Sequence, residues 1–177
     1  MGKLLIVVDM QNDFITGSLG TAEAEAVVPG VLQKIRQYQA ENAPVILTMD
    51  THTEEYLDTL EGRNLPVKHC IRDTDGWKLQ RDVQSLITGR PYTVYEKAAF
   101  GSSAFAADLV SGTYDDVKSV ELIGLCTDIC VISNALLVKT FLPEVRILVD
   151  ASCCAGVTPE SHKNALNAMK MCQIEII

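Results

Sequence analysis

Three residues with reactive side chains stand at the ends of apolar segments that have strand character. Asp9 ends the first segment, Lys97 follows the end of a later one, and Cys130 lies in the turn that leaves a third. Ligands of open α/β sheets bind beyond the carboxyl ends of the strands, so these side chains are expected along one edge. A carboxylate, an ammonium group and a thiol gathered there indicate a thiol nucleophile with a proton acceptor beside it.

Cys130 is predicted to fall in the first turn of a helix. Residues 124–130 are typical of a strand-to-helix turn, and the helix is expected to begin near Thr127. Unpaired amide hydrogens and the helix dipole at this place favour a thiolate and lower its pKa. The same amides can receive an oxyanion, and the Cys126 amide is a candidate donor. On position alone, a buried structural thiol at Cys130 and a solvated loop lysine at Lys97 remain alternatives.

Asp50, His52 and His69 form a second group of functional side chains. Side chains at i and i+2 of a strand share a face, so Asp50 and His52 point to the same side, and His69 could return from the loop to join them. A carboxylate with two imidazoles suits Zn²⁺ or another transition metal with positions open to substrate. The alternative is that these are surface histidines in a solvated loop. His162, inside a predicted helix, is expected at the surface.

The elements that must position these residues alternate between strand and helix. Strands are predicted at 3–9, 45–50, 92–96, 119–124, 145–149 and 174–177. One helix is predicted to have Pro29 in its first turn. Further helices are predicted around 79–87, at 103–110, from about 127 to about 140, and at 159–171. Continuously apolar strands that alternate with helices indicate a parallel sheet. The expected fold is α/β: three layers, Rossmann-like, with a mostly parallel six-stranded sheet and helices on both faces.

One irregular stretch, residues 51–78, interrupts this alternation. A loop of that length inside a compact domain is usually functional. With 177 residues, the chain fits a single domain spanning 1–177, and its 47% hydrophobic content can bury a sizeable core.

Charge and apolar patterning exclude several classes of partner. The formal net charge of −8 argues against a nucleic acid, which needs a basic face. The apolar run at 4–8 is too short for a secretory signal, and no stretch approaches the roughly 18 apolar residues of a membrane span. A cytoplasmic location is therefore expected. The six cysteines form no C-x-x-C pair, which excludes a zinc ribbon and a thioredoxin-type motif.

Several motifs, in this order along nearly the whole chain, carry a resemblance to a known family. They are residues 8–14, 17–19, 50–52, 65–66, 69–70, 96–97, 100–102 and 124–131. Together they resemble the isochorismatase-like cysteine hydrolases, and within these the nicotinamidase/pyrazinamidase subgroup. The resemblance implies a catalytic triad of Asp9, Lys97 and Cys130. It also implies an oxyanion hole from the backbone amides of Cys126 and Cys130, with a cis peptide bond between Leu125 and Cys126.

The metal motif distinguishes the nicotinamidases, which carry a D-x-H…H set, from most other members. Asp50, His52 and His69 match that set, so the resemblance implies one divalent ion, with Zn²⁺ first and iron or manganese as alternatives. The fourth ligand varies within the family and can be a carboxylate. Glu61 is the first candidate here and Asp58 the second.

The resemblance also implies an activity. It is the hydrolysis of nicotinamide to nicotinic acid and ammonia through a cysteine thioester, a step in NAD salvage, with pyrazinamide accepted as a near-isostere. Phe14, Leu19 and Phe100 would pack against the ring of this small aromatic amide. A homo-oligomer is expected, since family members are often oligomeric. The alternatives are a family hydrolase acting on another small amide or on isochorismate, and a non-catalytic binding protein that keeps the fold.

Overall fold

A six-stranded sheet runs through the centre of the computed structural model, which describes residues 2–177. The strands are β1 (Lys3–Val8), β2 (Val45–Asp50), β3 (Thr93–Lys97), β4 (Ser119–Leu125), β5 (Arg146–Ala155) and β6 (Glu175–Ile176). Their order across the sheet is β3-β2-β1-β4-β5-β6, and each neighbouring pair is parallel. The predicted parallel, Rossmann-like sheet is confirmed.

Helices cover both faces of this sheet. They are α1 (Asn12–Ile15), α2 (Ala22–Ala40), α3 (Leu60–Asn64), α4 (Arg81–Ile87), α5 (Ser103–Val110), α6 (Ile132–Phe141) and α7 (Pro159–Met171), with a 3₁₀ turn at Glu54–Asp58 and a π-helical turn at Thr127–Val131. Alternate residues of β1 serve opposite faces. Leu5 and Val7 pack with the residues of α2 and α4, whereas Leu4, Ile6 and Val8 pack with those of α5, α6 and α7. Within residues 2–177, each helix is too short or too polar to cross a membrane.

Helix α2 begins well before the position that Pro29 predicted. The Thr21 hydroxyl accepts the Ala24 N–H at 3.0 Å, and the acidic Glu23 and Glu25 occupy the first turn. Such a cap and such charges stabilise a helix start. Pro29 therefore lies inside the helix, which forgoes the hydrogen bond that a proline cannot donate.

Strand β5 is about twice as long as predicted. It continues past Asp150 to Ala155 and pairs with β4 across a register shift between Leu122 and Gly124. Cys153 and Cys154, which the sequence assigned to the core, are buried on opposite faces of this extension.

The strand order reverses between β1 and β4, which places a crevice at the carboxyl ends of these two strands. Asp9 directly follows β1, and Cys126 directly follows β4. The fold thus brings two of the predicted functional segments together at the place where α/β proteins bind ligands.

Gly124 allows β4 to lie against the end of β1. Its φ is +116°, and a Cβ atom there would lie 2.1 Å from the Val8 carbonyl oxygen. We expect Gly124→Ala to lower the free energy of unfolding by about 3 kcal/mol or more, because strain in φ adds to a backbone clash. Urea unfolding followed by circular dichroism measures this loss.

Gly89→Ala is the matched control, because Gly89 also has a positive φ, +77°, but nothing lies within 4 Å of its added Cβ. Only the left-handed conformation is then penalised, at about 1 kcal/mol. Equal losses in the two variants would show that the contact with Val8 does not require glycine.

Candidate active site

Asp9, Lys97 and Cys130 meet at the carboxyl edge of the sheet. The Lys97 Nζ atom lies 2.7 Å from Asp9 Oδ2 and 3.3 Å from Cys130 Sγ. The exposed fraction is 0% for Asp9 and 5% for both Lys97 and Cys130. Asp9 and Cys130 therefore flank the ammonium group of Lys97, which is buried and shielded from water.

The local backbone and one hydroxyl fix the Asp9 carboxylate. Asp9 has a φ of 47°, in the left-handed region that residues other than glycine rarely adopt and that often marks a functional position. The Thr48 hydroxyl donates to Oδ1 at 2.6 Å. Oδ2 forms an ion pair with the Lys97 ammonium, and the Cys130 thiol also faces the Asp9 carboxylate. Asp9 is therefore placed to accept a proton from the thiol.

Burial controls protonation in this trio. Burial raises the pKa of Asp9, and Lys97 offsets only part of the effect. Burial and the nearby Asp9 raise the pKa of Cys130 well above its ordinary value, although Lys97 opposes them. Burial alone would lower the pKa of Lys97, but Asp9, Cys130 and a second carboxylate reverse the direction and raise it. The thiol thus holds its proton beside an ammonium ion and a carboxylate of increased proton affinity.

The expected lowering of the thiol pKa is wrong for this site. The sequence placed Cys130 correctly at the start of a helix, in the π-helical turn that precedes α6. However, desolvation of the fully buried sulfur outweighs the effect of the turn. The thiol therefore needs a base when it reacts, and Asp9 is the carboxylate placed for that role.

The turn that carries Cys130 follows a cis peptide bond between Leu125 and Cys126, which confirms this prediction. The Cys126 carbonyl accepts the N–H groups of Ile129 and Val131 at 3.1 and 3.0 Å. The turn is thus anchored on Cys126. The assignment of the Cys126 and Cys130 amides as oxyanion donors stays a prediction.

Four side chains next to the trio form a compact cluster of metal-ligating atoms: Asp50, His52, Glu61 and His69. One ligand atom from each lies within 4.8 Å of all the others. Asp50 Oδ2 is 3.1 Å from His52 Nε2 and 3.4 Å from His69 Nε2. Glu61 Oε1 is 3.8 and 3.9 Å from the same two nitrogens. Glu61 of α3, rather than Asp58, therefore completes the set.

The donor chemistry of this cluster fits a divalent transition metal. His69 Nδ1 donates to the Val67 carbonyl at 2.8 Å, which orients the ring so that Nε2 is the nitrogen that faces the cluster. Burial would favour a neutral Asp50, but hydrogen bonds from His52 and His69 and the charge on Lys97 lower its pKa. Two imidazole nitrogens and two carboxylates are ligands that zinc, iron and manganese accept.

A cavity of about 210 Å³ opens between the trio and the metal cluster. Its apolar walls include Phe14, Leu19, Leu65, Phe100, Ile129 and Val157. Asp50, Glu61, His69 and Cys130 supply its polar groups. The three predicted pocket residues, Phe14, Leu19 and Phe100, are all in this lining. The cavity suits a small, largely apolar molecule that has a few polar groups.

Sequence reasoning missed residues that hold the site in place. Gln11 pairs with the Asp50 backbone in both directions, at 2.7 and 2.8 Å. Asn134 donates to the carbonyls of Cys130 at 2.8 Å and Phe100 at 3.2 Å, so it joins the nucleophile to a wall of the cavity. The only signal for Asn134 in the sequence is that it is a polar residue among the apolar residues of the predicted helix at about 127–140.

His162 lies at the surface only in part. Its side chain is half-buried, and its Nδ1 atom lies 2.8 Å from the Thr127 hydroxyl in the turn that carries Cys130. The sequence separation of 35 residues hides this contact.

Comparison with known proteins places this arrangement in a family. The family model of the isochorismatase domain matches residues 3–177. This chain belongs to the isochorismatase domain family. It is 29% identical to the nicotinamidase/pyrazinamidase of Mycobacterium tuberculosis over 191 residues, which covers 99% of this chain and 98% of that protein.

Solved structures of this family share the fold. Pyrazinamidase of Pyrococcus horikoshii in complex with zinc superposes with a TM-score of 0.82 at 27% identity, covering 100% of this chain and 99% of that one. Nicotinamidase PncA of Bacillus subtilis superposes with a TM-score of 0.83 at 26% identity, covering 99% of each chain. These isochorismatase-family relatives support an amidohydrolase.

Proposed function

We propose that this isochorismatase-family protein hydrolyses nicotinamide to nicotinic acid and ammonia. One observation carries the proposal: Cys130 of the buried trio and three of the four cluster residues line the same small, largely apolar cavity. The three are Asp50, Glu61 and His69. The names of the relatives from Mycobacterium tuberculosis and Bacillus subtilis support the same activity.

The first half of the reaction forms a thioester. Asp9 Oδ2 accepts the Cys130 thiol proton, and the Lys97 ammonium stabilises the thiolate that forms. The sulfur attacks the carboxamide carbon, and the carbonyl electron pair moves to oxygen, where the Cys126 and Cys130 amides stabilise it. The carbonyl re-forms as the C–N bond breaks, and Asp9 gives its proton to the leaving ammonia.

The second half releases the acid. Water attacks the thioester carbon and Asp9 accepts its proton. The tetrahedral oxyanion collapses, the C–S bond breaks, and the proton returns to the Cys130 sulfur. The enzyme is then ready for another turnover, with nicotinic acid as the product.

The metal cluster and the apolar walls orient the ring in this proposal. One divalent ion would be held by Asp50, His52, Glu61 and His69, and zinc is the first candidate. When bound, it would supply a Lewis acid for a ring nitrogen. Phe14, Leu19 and Phe100 pack against the ring faces. Pyrazinamide, which also has a ring nitrogen in the meta position, is accepted. Homo-oligomeric assembly and a cytoplasmic location stay predictions.

Ammonia release from a panel of amides tests the proposal. The protein, supplied separately with zinc, manganese or iron, is expected to turn over nicotinamide and pyrazinamide with a kcat of about 1 s⁻¹ or more. Benzamide, which has the same shape but no ring nitrogen, is expected to be a poor substrate.

Other outcomes point to the other candidates. Ammonia released only from a non-aromatic amide, or pyruvate released from isochorismate in a separate assay, would identify a different hydrolase of the family. Ligand binding without turnover of any compound in the panel would identify a non-catalytic binding protein.

A further inference from the structure

His162 connects helix α7 to the turn that carries the nucleophile. Its Nδ1 atom lies 2.8 Å from the hydroxyl of Thr127, which is completely buried. Thr127 directly follows Cys126 and is the first residue of the π-helical turn. A side chain of α7 thus holds the turn at the residue next to a proposed oxyanion donor.

The segment around His162 is itself fixed against this turn. The Val157 N–H lies 3.2 Å from each carboxylate oxygen of Asp128, the residue after Thr127. A capping box joins Thr158 to Ser161 at the start of α7, immediately before His162. Gly156 lies so close that a Cβ atom there would be 2.9 Å from the His162 Cα atom. The imidazole therefore reaches Thr127 from a rigid base.

The state of the imidazole suits a hydrogen bond with a hydroxyl group. Burial lowers the pKa of His162, although Asp128 opposes the effect. A neutral ring has one donor and one acceptor nitrogen, so it can pair with the Thr127 hydroxyl in either tautomer.

We propose that His162 is a positioning residue: through the Thr127 hydroxyl it sets the orientation of the backbone amides of Cys126 and Cys130 toward the reacting carbonyl. This inference rests on the proposed thiol chemistry. Oxyanion donors lower the barrier only when they are aimed at the developing charge, and a small displacement reduces their effect. The contribution should therefore appear in acyl transfer and not in the intrinsic reactivity of the thiol.

Two variants of matched shape test the role. Asn and Leu both branch at Cγ as His does, so His162→Asn keeps a polar atom near the Nδ1 position and His162→Leu removes it. Acylation by p-nitrophenyl acetate needs the oxyanion donors, whereas alkylation of Cys130 by iodoacetamide does not. Mass spectrometry of the Cys130 peptide follows the alkylation, and released nitrophenol follows the acylation.

We expect the acylation rate constant of His162→Leu to fall about tenfold or more, while His162→Asn stays within about threefold of the wild type. Alkylation of Cys130 stays within about twofold in both variants, which also reports that the site remains folded. Unchanged acylation in His162→Leu, an equal fall in alkylation, or no rescue by His162→Asn would overturn the role. So would a wild-type protein that is alkylated at Cys130 but not acylated.

The ester assay separates this inference from the proposed function. A wild-type protein that is acylated by the ester but releases no ammonia from nicotinamide would refute the proposed substrate. The comparison of the two His162 variants would still decide the positioning role.

Discussion

Under the proposed function, Cys130→Ala is expected to lower the kcat for nicotinamide about 10⁴-fold or more. The Cys130 sulfur lies 3.3 Å from the buried ammonium group of Lys97. Without the sulfur no thioester forms, and Asp9 can only promote the direct attack of water on a stable amide. Residual binding and the remaining polar groups give the little catalysis that is left.

Cys154→Ala is the matched control for this prediction. Cys154 is as buried as Cys130 and belongs to the same apolar cluster, but it lies in β5. Both variants lose one buried sulfur and a similar, small part of their stability, about 1 kcal/mol. We expect Cys154→Ala to keep kcat within about threefold. Steady-state ammonia release and urea unfolding of both proteins check this, and activity retained in Cys130→Ala would remove the nucleophile assignment.

Metal removal is expected to have the second largest effect. Exhaustive chelation should lower kcat/KM for nicotinamide by about 10²-fold or more, and added zinc should restore it. His69→Ala should weaken metal affinity by more than about 100-fold, since even partners of the ligands contribute 10- to 100-fold. Metal analysis of the purified proteins and ammonia release measure the two effects separately. Full activity in thoroughly metal-free protein would contradict the proposed role.

A pair of carboxylate variants tests the fourth ligand. Glu61 Oε1 lies 3.8 Å from His52 Nε2, whereas Asp58 is not part of the cluster although it is only three residues away. Glu61→Gln should therefore bind zinc at least about tenfold more weakly, and Asp58→Asn should bind it as the wild type does. Equal zinc affinity in the two variants would show that Glu61 is not the fourth ligand.

The sequence predicted the fold from topology and the site from the family resemblance. Apolar strands in a βα alternation indicate a parallel sheet whose strands end along one edge, so Asp9, Lys97 and Cys130 were expected along that edge. That the three form one trio was implied by the resemblance. The excursion at 51–78 holds three of the four cluster residues, and its length marked it as functional.

The features that the sequence did not predict depend on contacts across the chain. Desolvation of the Cys130 thiol reverses the pKa direction that its place in a helix suggests. His162 reaches Thr127 across 35 residues, and Gln11 reaches Asp50 across 39. Pro29 gave the wrong start for α2, because the Thr21 cap stabilises an earlier start by more than the one hydrogen bond lost at the proline costs. No local pattern contains the contacts of Cys130, His162 and Gln11, whereas the Thr21 cap could be read from the sequence.

The two halves of the site sit on parts of the molecule that can evolve separately. Asp9 and the turn that carries Cys130 follow the central strands β1 and β4, and Lys97 ends the edge strand β3. A substitution that shifted the pairing of these strands would disturb the whole sheet. His52, Glu61, His69 and Leu65 all belong to one excursion beyond β2. Under the proposed function, a descendant that remodelled this excursion would lose three of the four candidate metal ligands while it kept the trio. Enzymes that share the trio can in this way come to act on different substrates.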